Sequence, residues 1–184
     1  RVLHPIGSGV LGPVFRAFDA RQDRLVAVKT FKLDLLPEQV ARLTDALRLI
    51  VTAPSTHPAV VPAIDAGLEG TTPYVVLAMA AGETLDVMLR QLAPATPGVA
   101  LPLLARVAAA IDAVWDQGGS HGALHPRDVF VTPETGDVRV TGFGIVRALE
   151  AVGAQVPARR PYAAPERAGN QTWDRRADVY SLGA

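Results

Sequence analysis

Three glycines set among alternating apolar residues constrain this chain more than any other feature: Ile6-Gly7-Ser8-Gly9-Val10-Leu11-Gly12-Pro13-Val14-Phe15. The alternation predicts strands, and glycines this close together predict a turn between them. Because Gly7, Gly9 and Gly12 lack side chains, backbone amides can approach phosphate groups there. A glycine-rich hairpin with no ligand would carry the same letters, so the motif takes its weight from the next segment of the chain. There Leu25-Val26-Ala27-Val28-Lys29 predicts a further strand carrying a lysine near its end. A glycine loop between strands, not ahead of a helix, argues against the dinucleotide-binding fingerprint.

After this antiparallel start, Val40, Leu43, Leu47 and Ile50 fall at helical spacing behind Pro37, with Glu38 in the first turn, and Thr52 to Pro58 ends the helix. Two apolar runs, Ala59 to Ile64 and Tyr74 to Met79, predict strands. Ala80-Ala81-Gly82 predicts a flexible break, placing a boundary between a unit over 1–80 and a second over 81–184. The pattern then turns helical, over Thr84 to Leu92 and Leu101 to Gln117. In the longer segment Leu104, Val107, Ala108, Ile111 and Val114 form one face, and Gly118-Gly119 stops it. Val129-Phe130-Val131 and Val138-Arg139-Val140 predict a hairpin turning through Glu134-Thr135-Gly136-Asp137.

Composition narrows the function classes. Hydrophobic residues make up 49% of the 184, enough for a globular core and against disorder. Eighteen Lys and Arg balance eighteen Asp and Glu without a long block of either sign, so binding of nucleic acid or membrane through bulk charge is not expected. There is no cysteine, which excludes disulfide and thiolate chemistry and fits a reducing, cytoplasmic compartment. The most apolar stretch, Val99 to Trp115, is interrupted by Arg106 and Asp112 and reads as too short to cross a bilayer. The opening Arg1-Val2-Leu3-His4 is no signal peptide and, lacking Met, reads as part of something longer.

Four more motifs lie further along the chain. His121-Gly122-Ala123-Leu124-His125-Pro126-Arg127-Asp128-Val129 resembles the catalytic loop of protein kinases, Gly142-Phe143-Gly144 their Asp-Phe-Gly motif, and Ala164-Pro165-Glu166 their Ala-Pro-Glu motif. Asp178-Val179-Tyr180-Ser181-Leu182-Gly183 resembles the start of the central large-lobe helix of bacterial serine/threonine kinases. The resemblance covers the whole chain. It implies an α+β, two-lobed kinase-like fold: a β-rich small lobe with one regulatory helix, and a mostly helical large lobe truncated on its C-terminal side.

The resemblance also implies a set of roles. Gly7, Gly9, Gly12, Val14, Ala27 and Lys29 would face ATP, with Ala80 as the hinge residue and Leu77 lining the pocket behind it. Lys29 would reach the phosphates, paired with an acid on the following helix. Asp45 and Glu38 are candidates, with Arg48 at roughly the expected distance, and an exposed strand-end lysine is the plainer reading. Asp178 would accept amide hydrogen bonds from the His121 loop, and Glu166 would meet an arginine beyond Ala184.

The departures bear on chemistry. The family's proton-accepting aspartate is replaced by Ala123, and the magnesium-holding aspartate by Gly142, so no catalytic residue is assigned. Asp128 stands where a second, amide metal ligand is usual; it is a weak metal candidate beside the plainer reading of a loop carboxylate. His125 replaces a lysine near the transferred phosphate, and Gly122 the arginine that binds a phosphorylated activation segment in many kinases. Val152 to Pro161 contains no serine or threonine, which argues against regulation by phosphorylation there. The expectation is a pseudokinase acting as an interaction or allosteric module for a protein partner. The glycines and Lys29 favour weak ATP binding, and the missing carboxylate makes a role for Mg2+ doubtful. The rival expectation is an active ATP-dependent serine/threonine kinase with atypical residues. A third is a domain that supports a larger protein whose activity lies beyond residue 184; the expected location is the cytoplasm, either free or as the cytosolic part of a longer, membrane-anchored protein.

Overall fold

The computed structural model describes residues 1–92 and 94–184 and divides into two compact units. The first comprises residues 1–54, 62–79 and 147–156; the second comprises 55–61, 80–146 and 157–184.

The first unit is built on a five-stranded antiparallel sheet in the order β1-β2-β3-β5-β4. Its strands are β1 (Val2–Gly9), β2 (Gly12–Asp19), β3 (Arg24–Thr30), β4 (Ala63–Glu69) and β5 (Thr72–Ala78). Gly9 pairs with Gly12 across the β1–β2 turn, so the glycine run folds back as a hairpin. Helix α1 (Pro37–Thr52) starts at its proline, whose missing N–H costs nothing in a first turn. The Gln39 side chain accepts from the Leu36 N–H at 2.9 Å and donates to the Val152 carbonyl at 2.8 Å, tying the helix start to the 147–156 segment. Val40, Leu43 and Leu47 are buried, as their spacing predicts; at about 1.5–3 kcal/mol per buried apolar side chain, packing outweighs helix propensity here.

The second unit holds a small sheet, β6 (Glu83–Thr84), β7 (Val129–Thr132) and β8 (Asp137–Val140), with helices α2 (Leu85–Leu92) and α3 (Pro97–Asp116). A short 3-10 turn over Pro126–Asp128 leads into β7. Helix α4 (Ile145–Glu150) carries the chain from this unit back into the first, and α5 (Pro165–Ala168) and α6 (Arg175–Gly183) complete the second. Val107, Ala110, Ile111 and Val114 of α3 pack with Leu124, Val129, Val131, Val138 and Val140 into one core.

Three expectations shift. Residues 59–64 do not make one strand: Ala59 and Val61 hydrogen-bond to Val140 in the second unit, whereas β4 begins at Ala63 in the first. Pro62 separates the two pieces, and it has no N–H to continue a ladder. Helix α3 begins at Pro97, not Leu101, because Thr96 and Pro97 supply a start that Pro102 obscures. With that extra turn the helix has 20 residues and is long and apolar enough, by length and composition, to cross a membrane. The expectation that this stretch is too short is therefore corrected, although here its buried side chains belong to the core of the second unit.

Candidate functional site

In the first unit, sheet register brings most of the nucleotide-loop residues together. Val14 lies opposite Gly7 on one side and Lys29 on the other; Lys29 lies opposite Val75, and Ala27 opposite Leu77. Directly opposed residues share a face, as do residues two apart on a strand, so Val14, Ala27, Lys29 and Leu77 present one continuous surface. The Lys29 ammonium lies 6.0 Å from the Phe31 ring centroid. Gly12 has φ +140°, and a Cβ there would run into the Thr30 carbonyl oxygen, so only glycine closes this turn. A Cβ on Gly9 would lie 3.4 Å from Lys29 Nζ, whereas one on Gly7 would meet nothing within 4 Å. Asp45, one candidate partner for Lys29, is held by Arg48 at 3.0 Å on an exposed face of α1. Ala80 belongs to the second unit and is half-buried.

The second unit holds the 121–128 loop by its backbone. Asp178, fully buried on α6, accepts from the His121 N–H at 3.1 Å, the Gly122 N–H at 2.6 Å and the Trp115 indole N–H at 2.8 Å. This is the amide capture expected of Asp178, with an indole added. The Gly122 carbonyl accepts from Arg167 Nε at 2.8 Å, and the Ala123 carbonyl accepts from the Arg159 guanidinium. The 121–123 backbone is thus engaged on both its N–H and its C=O sides.

Two of the positions that differ from the kinase pattern, both glycines, are crowded by neighbouring rings. Gly122 has φ +76°, and a Cβ there would lie 2.5 Å from the Trp173 ring, which stacks edge-on to Trp115 and under the Arg167 guanidinium. Gly142 has φ +96°, and a Cβ there would lie 3.0 Å from His121 Nε2. His121 is itself buried: its Nδ1 accepts from the Ala123 N–H at 3.3 Å, so Nε2 carries the proton donated to the Thr141 carbonyl at 2.9 Å. Ala123 offers no side-chain acceptor. Asp128 is paired with Arg159, the guanidinium meeting its two carboxylate oxygens at 2.5 and 3.4 Å.

Around this loop, Asp86 on α2 accepts from Thr84 Oγ1, Arg90 and Arg127 at 2.5, 2.6 and 3.2 Å. Burial pushes its pKa up, but these bonds outweigh burial and hold the carboxyl below its ordinary range. His125 stacks edge-on to Tyr162, centroids 4.9 Å apart, and its Nδ1 accepts from the Arg127 N–H at 3.1 Å. Burial, and then the Arg159 charge, push its pKa below the ordinary histidine value.

The whole chain, residues 1–184, matches the family model described as protein kinase domain. The chain belongs to that family. Pkn2, a serine/threonine-protein kinase of Myxococcus xanthus, is 34% identical over 194 residues, a match that takes in 100% of this chain and 23% of that protein. The serine/threonine-protein kinase PknA of Mycobacterium tuberculosis is 32% identical across 100% of this chain and 44% of its own length. The chain thus spans less than half of these relatives. A crystal structure of the Mycobacterium tuberculosis PknI kinase domain superposes with a TM-score of 0.75 over 98% of this chain and 70% of that one, at 21% identity, which supports the fold alone.

Kinases of this family generally use ATP and Mg2+. The second unit does not fit the metal. Position 142 carries no carboxylate, and a Cβ there would crowd the His121 ring; the Asp128 carboxylate is occupied by an arginine, and no group of three or more His, Asp or Glu side chains that could hold a metal occurs among the described residues. Arg159 and Trp173 escape sequence reasoning. The only local signal is the Arg159-Arg160 pair in a segment without serine or threonine, and it does not say which carboxylate either arginine meets.

Proposed function

We propose that this kinase domain is a non-catalytic signalling module, a pseudokinase that binds nucleotide weakly and without metal and acts by engaging a protein partner. The observation that carries the reading is Gly142. It has no carboxylate to hold magnesium, and its left-handed backbone and the buried His121 imidazole 3.0 Å from a Cβ there would strain one. With Ala123 unable to take a proton, two requirements of phosphoryl transfer are missing together. A lost general base costs roughly a hundred- to ten-thousand-fold, and a lost metal adds several kcal/mol more. Retention of Gly12 where only glycine fits, and of Lys29 on the same sheet face as Val14, Ala27 and Leu77, supports a remaining nucleotide surface. The absence of cysteine and the greater length of the relatives suit a cytoplasmic domain within a longer protein.

The test is thermal shift with ATP alone, with ATP plus magnesium or manganese, and with Lys29→Ala, together with a phosphate-incorporation assay. A metal-independent stabilisation lost in Lys29→Ala supports the reading. Phosphate incorporation that disappears in Lys29→Ala or Asp128→Ala would overturn it in favour of an active serine/threonine kinase using Asp128 and His125.

A further inference from the structure

Asp128 is the one carboxylate in the 121–128 loop, and the chain supplies its cation. Arg159, 31 residues later, places its guanidinium at 2.5 and 3.4 Å from the two Asp128 oxygens and donates to the Ala123 carbonyl as well. Its side chain is 30% exposed and that of Asp128 19%, so the pair is substantially shielded from solvent, unlike the surface pair Arg48–Asp45 at 58% and 72%. His121 Nε2 stands 3.9 Å from the same carboxylate and lies 2.9 Å from the Thr141 carbonyl oxygen.

We propose that Arg159 is a resident cation that takes the place of a divalent ion at Asp128, and that it latches the 157–164 segment to the 121–128 loop. A planar, permanently charged fork suits both jobs, since it satisfies a carboxylate with two bonds and still has a donor for a neighbouring carbonyl. The two roles are linked. One guanidinium makes both contacts, so loss of the Asp128 carboxylate loosens the segment and loss of Arg159 leaves the carboxylate without its cation. The proposal concerns only this chain's residues in the absence of nucleotide, so it stands or falls separately from nucleotide binding and phosphoryl transfer.

The test is Mn2+ titration of the nucleotide-free protein, read by water-proton relaxation, with hydrogen exchange of residues 157–164 measured alongside. Arg159→Gln is expected to gain Mn2+ affinity by roughly tenfold or more over the natural protein, and Arg159→Gln with Asp128→Asn to lose that gain. Asp128→Asn alone is expected to speed exchange in 157–164 without creating a Mn2+ site. Equal Mn2+ binding by the natural protein and Arg159→Gln, or a gain that survives loss of Asp128, overturns the cation role. Unchanged exchange in Asp128→Asn overturns the latch even if Arg159→Gln fails to fold.

Discussion

The glycine-loop sheet and the 121–128 loop both match kinase motifs, but the first keeps its special residues and the second keeps only its frame. In the sheet, Gly12 is required by its own geometry, and register alone aligns Val14, Ala27, Lys29 and Leu77. In the loop, Asp178 still holds two backbone amides and the Trp115 indole, while neighbouring side chains crowd or pair with positions where side-chain chemistry would sit. Trp173 covers Gly122, His121 covers Gly142, and Arg159 occupies Asp128. The contrast teaches that shape and chemistry are separable here. At Gly142, restoring the lost carboxylate would also crowd the buried His121 ring.

The sharpest test of the frame is Asp178→Ala. It would leave the His121 and Gly122 amides and the Trp115 indole without their acceptor in a fully buried place. At about 1–3 kcal/mol per orphaned donor, partly offset by relaxation, the expected loss is about 3–5 kcal/mol in a urea melt. A loss under about 1 kcal/mol would break the claim that the loop frame depends on this residue.

Gly142→Asp tests the loop from the side of chemistry. The new side chain must be built on a left-handed backbone against His121, at an expected cost of about 1–3 kcal/mol, and phosphate incorporation is expected to stay at background. If Gly142→Asp alone yields a phosphorylating enzyme of unchanged melting temperature, the His121 ring does not crowd this position against a carboxylate. The same logic within the sheet separates two glycines of one motif. Gly12→Ala is expected to cost about 1–2 kcal/mol and to abolish any nucleotide-dependent thermal shift, because its Cβ meets the Thr30 carbonyl. Gly7→Ala, whose Cβ meets nothing within 4 Å, should stay within about 0.5 kcal/mol of the natural protein by the same melt.

Legibility in the sequence tracks the range of the interactions. The hairpin at Gly9 and Gly12, the start of α1 at Pro37 and the burial of Leu43 and Leu47 are local patterns, and all are readable from the residues alone. So is the bonding of Asp178 to the His121 loop, because the family resemblance carries that long-range pair. What escapes is tertiary. Pro62 sends Ala59 and Ala63 to different units, Thr96 and Pro97 start α3 a turn early, and Arg159 and Trp173 fill places 31 and 51 residues back along the chain, at Asp128 and Gly122. No periodicity or propensity records which far-off side chain occupies the space a missing one would have taken.

The smallest expected effect probes how that filling reaches the electrostatics of the loop. In the folded state His125 is held below its ordinary midpoint of 6.5, first by burial and then by the Arg159 charge. A histidine disfavoured as a cation in the fold leaves stability intact above its unfolded midpoint. As pH falls below about 6.5, the unfolded chain takes the proton first and stability declines, until the folded state's own lower midpoint is passed. Protonation would also cost the Nδ1 acceptor that caps the 3-10 turn through the Arg127 N–H. An NMR titration, with His125→Gln to assign the resonance, should therefore place the His125 midpoint below 6.5. In Arg159→Gln that midpoint should rise, because a repelling charge is gone and Asp128, which favours the cation, no longer has its partner. A midpoint that does not move would mean that Arg159 shapes the loop through its hydrogen bonds to Asp128 and Ala123 alone. The difference between the two halves of this domain would then be one of packing and not of charge.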